Sequence, residues 1–436
     1  MKNSIYNSLI PITPKTSVLY NAFTDTFLVI STKASKLLCN PSSIKSQWKT
    51  LYKELVKHEF YVPDKIDEFE RLKLQAYRMV TYEDSFFLIV NPTLDCNLRC
   101  WYCYETHLQG SMMHENVQHR IKLFIEHTIN SGIKSFTLGF FGGEPLMKYK
   151  SIVRPLIEYA KEICEKRGLL FNTTFTSNGT LLTPYIVEEL TSLSPTSFQI
   201  TLDGDEESHN KVRFFHNQRG TYRVIMQNIK LLLAKQCHVT LRINHTMDSI
   251  KSIYTVAEEL KNLQAEYIPF LSVDFHRVWQ DKTGAVILPE VKELTQMLNK
   301  NKIQATYNNL NEIKNPCYGD QKNTAVINYN GDVFKCTAKD FTTENREGYL
   351  NEQGNIVWEK PQDHRLNSKL TNKPCRTCNI APLCGSGCTR YILDREAEGM
   401  TEYCVLNYDE KQKQEIIINQ VERIIQKHEI SLLSTT

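Results

Sequence analysis

The sequence has almost no charge imbalance. Lys and Arg number 52 against 49 Asp and Glu in 436 residues, and the basic residues are scattered rather than bunched. That excludes an extended nucleic-acid-binding face and gives no reason to expect a polyanionic partner. The opening MKNSIYNSLIPITPK lacks the apolar core of a secretory signal, and the longest apolar runs, such as Phe86 to Val90, are far too short to cross a bilayer. The chain therefore reads as soluble and cytosolic, with no membrane partner. Repeats, low-complexity tracts and long flexible linkers are also missing, so the length goes into compact domains, two or three by the usual size of a domain.

What the sequence does have is cysteine, 13 in all. In a reducing compartment these are expected as metal ligands or catalytic thiols rather than disulfides. Ten of them fall into two sets with ligand-like spacing; Cys39, Cys164 and Cys237 stand alone and read as ordinary buried or surface cysteines.

Four segments organise the chain. Residues 1–80 carry two strand-like runs, SVLYNAF and TFLVIST, followed by helical patterns, and read as a small α+β domain. Over 81–302, β-rich runs alternate with amphipathic helical ones: FFLIV, SFTLGFF, LFNTTFT, SFQITL, HVTLRIN and PFLSVDFHRVW. Such alternation implies parallel strands covered by helices, and six units make an open, partial α/β barrel. Residues 303–409 are cysteine-rich and loop-heavy, held by metal more than by a core. Residues 410–436 form one amphipathic helix.

Cys96, Cys100 and Cys103 lie in the stretch NPTLDCNLRCWYCYE, directly after the first barrel strand. That is the face where α/β barrels build active sites. Three thiolates from one loop can bind three irons of a cubane [4Fe–4S] cluster and leave the fourth open for reaction. A zinc knuckle that drafts His107 as fourth ligand is the competing structural explanation.

The CxxxCxxC loop, with the aromatic Tyr102 before the third cysteine, resembles the radical S-adenosylmethionine superfamily. The resemblance implies that S-adenosylmethionine chelates the open iron and is cleaved to a 5′-deoxyadenosyl radical. It assigns GGEP, with Gly142, Gly143 and Glu144, to the methionine amine, the glycines allowing close backbone approach. It assigns Ser177 and Asn178 of TSNGT to the ribose or carboxylate. Arg213 is assigned to the methionine carboxylate, with Arg242 as a second cofactor-contact candidate. Asp203 either caps its loop or faces the substrate.

Seven further cysteines follow: Cys317, Cys336, Cys375, Cys378, Cys384, Cys388 and Cys404. Together, behind such a barrel, they resemble a SPASM domain, which in relatives carries two auxiliary [4Fe–4S] clusters. INYNGDVFKC resembles the hairpin that opens that domain, with Asn-Gly at its turn. The resemblance implies that Cys375, Cys378, Cys384 and Cys404 ligate one cluster and that Cys317, Cys336 and Cys388 hold the other, for three clusters in all. Anaerobic sulfatase maturases carry an aspartate after the position of Cys336; this chain has Thr337, with Asp340 three residues on. Asp203 and Asp340 are the candidates for a catalytic base.

The implied function is oxidative modification or cross-linking of a ribosomally made precursor peptide, whose leader the N-terminal domain is placed to bind as an added strand. A flavodoxin or ferredoxin is the implied electron donor. Formylglycine formation in a sulfatase is the rival of the same class, and a non-enzymatic zinc or peptide-binding protein the rival of another.

Overall fold

The computed structural model describes residues 1–281, 289–307, 310, 312–400 and 402–433, and the chain divides into two compact units. One comprises Met1–Tyr82, Leu310–Lys322 and Gln362–Thr436. Its strands are β1 (Lys2–Asn3), β2 (Asn7–Thr13), β3 (Thr16–Asn21), β4 (Thr26–Ser31) and β5 (Tyr61–Val62). Strands β2, β3 and β4 form an antiparallel sheet in that order, and β1 pairs with β5. Sequence reasoning found β3 and β4 and missed β2, because Pro11 removes a ladder donor and demotes the run. On an edge strand that loss is tolerated.

The core of this unit joins Tyr6, Val18 and Tyr20 to Leu370, Ile380, Cys384 and Ile416. Residues 1–80 also bury a core of their own, with Leu19, Ile30, Ile44, Leu55 and Phe60, while the shared core ties the first segment to parts of 303–409 and 410–436. Elements this short leave apolar faces that only another segment can cover.

The second unit comprises Glu83–Asn309 and Asn323–Pro361. Six strands with long connections come first: β6 (Ser85–Val90), β7 (Ser135–Phe140), β8 (Leu170–Ser177), β9 (Thr196–Leu202), β10 (His238–His245) and β11 (Leu271–Arg277). Then follow β12 (Gln304–Thr306), β13 (Thr324–Ile327), β14 (Asp332–Phe334), β15 (Gly348–Leu350) and β16 (Ile356–Trp358). They build one open sheet in the order β12-β11-β10-β9-β8-β7-β6-β13-β14-β15-β16. Every pair from β12 to β13 is parallel. The expected partial barrel of alternating strands and helices is present, with helices at Glu115–Asn130, Arg154–Arg167, Pro184–Leu193, Tyr222–Ala234 and Ile253–Lys261.

The hairpin at INYNGDVFKC extends this sheet: β13 pairs with β6, Ala325 opposite Leu88 and Ile327 opposite Val90. Ala325, Val326 and Ile327 are fully buried, as a central parallel strand requires. The free edge of β6 needs such a partner.

Side-chain alternation separates the two faces of the sheet. Phe136, Leu138, Phe140, Phe175, Phe198, Ile200, Leu241, Ile243, Val273 and Phe275 join the hydrophobic core under the helices. Thr137, Thr176, Gln199, Thr201, Thr240, Arg242, Ser272 and Asp274 alternate with them and are half-buried. In a closed eight-stranded barrel that inner face is packed with branched apolar residues. Here it is polar, which a core does not require and a polar ligand does.

Phe175 stacks between Phe140 and Phe198 at centroid separations of 5.1 and 5.0 Å. Phe175→Ala is expected to destabilise this unit by about 3–5 kcal/mol, read as a lowered urea midpoint in near-ultraviolet circular dichroism.

Candidate active site

The loop after β6 is tied down before it presents its thiols. The Thr93 hydroxyl donates to the Ser111 carbonyl at 2.6 Å, and the Asp95 carboxylate accepts from the backbone N–H of Cys96 and of Gly110, both at 2.9 Å. Arg99 donates to the carbonyls of Cys96 and Leu98 at 2.6 and 2.8 Å, closing the turn between the first two cysteines. Cys96 is buried, Cys100 half-buried and Cys103 exposed.

Gly142 and Gly143 lie against this loop with φ of +78° and +44°. A β-carbon on Gly143 would fall 2.1 Å from the Asp95 carbonyl oxygen, so only glycine fits. The Glu144 N–H donates to that same oxygen at 2.9 Å.

The Glu144 carboxylate is fully buried. It accepts from the Ser177 hydroxyl at 2.9 and 3.1 Å, the Asn178 N–H at 2.8 Å and the Leu146 N–H at 3.0 Å. Burial pushes it up to about 7, against the pull of those hydrogen bonds. The sequence assigns this carboxylate to a ligand amine, and within the protein three donors already hold it. Ser177 is likewise part of the clamp. Asn178 donates to Asn97 at 2.8 Å and towards the Cys96 sulfur at 3.8 Å.

Tyr102, Asp203 and Arg213, distant in sequence, meet in one network. The Tyr102 hydroxyl donates to Asp203 and accepts from Arg213 at 2.6 Å and from Asn244 at 2.9 Å. Arg213 also pairs with Asp203 at 2.6 Å. Asp203, 3% exposed, thus orients Arg213 and Tyr102 rather than facing open space. Arg242 donates to Asn244 at 3.0 Å and so stands one step further out. Asp340 accepts from the Thr106 N–H at 2.8 Å and its hydroxyl at 2.5 Å, and Tyr104 donates to the Thr337 carbonyl at 2.7 Å. These bonds fasten the β14–β15 connection, with Cys336, to the cysteine loop.

Sequence reasoning missed Asn97, Glu105 and Asn244. Glu105 accepts from the Gly143 N–H at 3.0 Å, and burial pushes it up to about 7. Its place two residues after Cys103 was the available signal; Asn244 carried none.

Burial pushes the Cys96 thiol up to about 12 and raises Cys100 as well. For Cys96, the Glu144 charge and the other two cysteines push the same way. Thiols grouped this way need positive charge to ionise, and an iron–sulfur cluster supplies it, so the donor set fits one. His107 approaches Cys103 with its Nε2 at 3.4 Å from the sulfur. Among the described residues no three His, Cys, Asp or Glu side chains converge on a single metal ion.

In the other unit, burial pushes Cys375 and Cys384 up to about 12, and neighbouring sulfurs, Cys378 and Cys404 among them, push the same way. Cys317 and Cys388 belong to that unit and Cys336 to the barrel unit. No helix among the described residues is long and apolar enough to cross a membrane.

Residues 90–260 match the Radical SAM superfamily. Over 342 residues the chain is 25% identical to the cysteine-type anaerobic sulfatase-maturating enzyme of Clostridium novyi (strain NT), covering 70% of this chain and 88% of that protein. Among solved structures, native anSMEcpe with bound AdoMet and Cp18Cys peptide aligns with a TM-score of 0.59 at 18% identity, over 78% of this chain and 99% of that one. Streptococcus suis SuiB bound to precursor peptide SuiA aligns with a TM-score of 0.54 at 15% identity, over 93% and 100%. These two likenesses establish the shared fold.

Gly143→Ala should displace the cysteine loop and reduce reconstituted iron by about four per chain, measured by iron assay beside unchanged far-ultraviolet circular dichroism. Because folding raises Glu144 from 4.5 to about 7, the folded state holds its proton more tightly. Stability is therefore expected to fall as pH rises from about 4.5 to about 7, and Glu144→Gln should make that slope shallower in urea midpoints taken on apoprotein across this range.

Proposed function

We propose that this radical S-adenosylmethionine enzyme oxidatively modifies or cross-links a ribosomally made precursor peptide. The observation that carries this is the join between two features of one sheet. A clamped three-thiol loop stands at the strand ends, beside an inner face lined with polar side chains and left unclosed.

Cys96, Cys100 and Cys103 would hold a [4Fe–4S] cluster, with S-adenosylmethionine at its open corner. The chemistry supplied there when both are bound is reductive cleavage to a 5′-deoxyadenosyl radical, which abstracts hydrogen from an unactivated carbon. The chain's own part is to bind and orient. Asn178 and the Leu98 N–H point at the Cys96 sulfur, at 3.8 and 3.5 Å, and such N–H groups favour the thiolate. The main chain of Gly142 and Gly143 forms a wall that a ligand amine can approach. Asp203 and Tyr102 hold the Arg213 guanidinium beside Cys100, where it favours the ligand's carboxylate end.

Cys375, Cys378, Cys384 and Cys404 would ligate an auxiliary [4Fe–4S] cluster, since their sulfurs act on one another within one unit. The total of three clusters rests, for Cys317, Cys336 and Cys388, on family resemblance. A flavodoxin or ferredoxin would supply the electron. The N-terminal sheet suits leader-peptide addition: its edges are β2 and β4, and Pro11 blunts β2, so β4 is the edge open to an added strand. Both solved relatives contain peptides by name.

Sulfatase maturation is the second reading, favoured by the 25% identity to such an enzyme. Thr337, in place of the aspartate those enzymes carry, weighs against it.

Replacing Cys96, Cys100 and Cys103 together by Ala should abolish 5′-deoxyadenosine release by dithionite-reduced protein. Iron should fall from about twelve to about eight per chain. Release persisting in that variant would sink the assignment of the loop, and efficient formylglycine formation in a sulfatase-type cysteine peptide would reverse the ranking of the two readings.

A further inference from the structure

Two guanidinium groups stand near the cysteine loop, and they are placed differently. Arg213 is engaged on two sides, by Asp203 and by Tyr102. Arg242 makes one hydrogen bond among the described residues, from Nε to the Asn244 side-chain oxygen at 3.0 Å, and closes no ion pair. Among the described residues no hydrogen bond or ion pair uses its two terminal nitrogens.

The placement of Arg242 is set by strand alternation. Leu241 and Ile243 on either side of it join the core under the helices. Arg242 therefore projects from the polar inner face, half-buried. Asp274 lies opposite it in register on β11 and acts on it through space, while accepting from Thr306 at 3.3 Å. His276 and His245, further along these strands, are both pushed down to about 4 by burial, so neither carries charge at neutral pH. Tyr104 stands near Arg242 and stacks on Trp279 at 5.3 Å, and Trp279 is 45% exposed.

A half-buried cation with an unfilled fork of donors is costly unless an anion completes it. The fork suits a planar monoanion held by two parallel hydrogen bonds. Asp274 on the same row already offsets much of the charge, which disfavours a dianion such as phosphate. Arg242 joins the Tyr102–Asp203–Arg213 network through Asn244, one hydrogen bond further from the cysteine loop than Arg213, which bonds Tyr102 directly.

From this we infer that Arg242 is the specificity-determining cation of the site, holding one carboxylate of the peptide substrate, either an Asp or Glu side chain or the C-terminus. The inference rests on the peptide-modifying reading. Through Asn244 and the Tyr102 hydroxyl, the same residue joins the substrate position to the cysteine loop.

The test uses reconstituted protein with S-adenosylmethionine and four short probes, read by anaerobic isothermal titration. Three are acetyl-Gly-Ser-Xaa-Ser-Gly-amide with Glu, Gln or Lys at Xaa; the fourth is the Gln peptide with a free C-terminal carboxylate. Wild type should bind the Glu amide or the Gln free acid about tenfold tighter than the Gln amide, and the Lys peptide most weakly. Which of the first two is preferred separates a side-chain carboxylate from a terminal one. Arg242→Glu should reverse the order, and Arg242→Lys should keep it with a smaller ratio. An order unchanged in Arg242→Glu, no charge preference, or no binding of any probe by wild type would overturn the inference. So would a loss of S-adenosylmethionine affinity in Arg242→Glu larger than the change in peptide preference. A separate arm guards the underlying reading: wild type that shows the charge preference yet releases no 5′-deoxyadenosine with dithionite would refute the radical chemistry and leave the carboxylate site standing.

Discussion

The Glu144 carboxylate is the clamp on which the site depends. It is buried without a cation, a state that water would relieve by solvation and that the protein offsets with hydrogen bonds from Ser177, Asn178 and Leu146. Those donors come from the end of β8 and the turn after Glu144, while the Glu144 N–H holds the Asp95 carbonyl in the cysteine loop. One residue therefore joins the ends of three adjacent strands, β6, β7 and β8. The close approach this demands leaves no room for a side chain at Gly143.

With the strand ends clamped, the open sheet sets what the site can face. A closed barrel would have filled the space inside with its own apolar side chains. Here the row Thr240, Arg242, Ser272 and Asp274 remains polar and half-buried, and β12 ends the sheet instead of meeting β16. Burial raises the Cys96 and Cys100 thiols of the loop, and the positive charge of a bound cluster would favour their thiolates.

The network around Tyr102 shows how local identity and spatial role part company. Asp203 and Arg213 were visible as candidates because they follow a strand, the usual place for functional residues in such folds. That they neutralise one another, with the tyrosine hydroxyl between them, follows from geometry alone. Asn244, which no sequence signal singled out, links Arg242 to Tyr102.

Cysteine spacing and hydrophobic periodicity determined by themselves the thiol loop, the six strand–helix units and the radical S-adenosylmethionine resemblance. Both are local signals, carried within a few residues or one element. Tertiary structure decided the rest. β13 joins β6 across more than two hundred residues of chain, β2 survives its proline because it lies on an edge, and the N-terminal strands share a core with Cys384 and Ile416. It also decided that Glu144 is held by three donors and that Arg242 is tied through Nε to Asn244. Hydrogen-bond partners and burial depend on which distant segments arrive at a side chain, and sequence spacing does not record that.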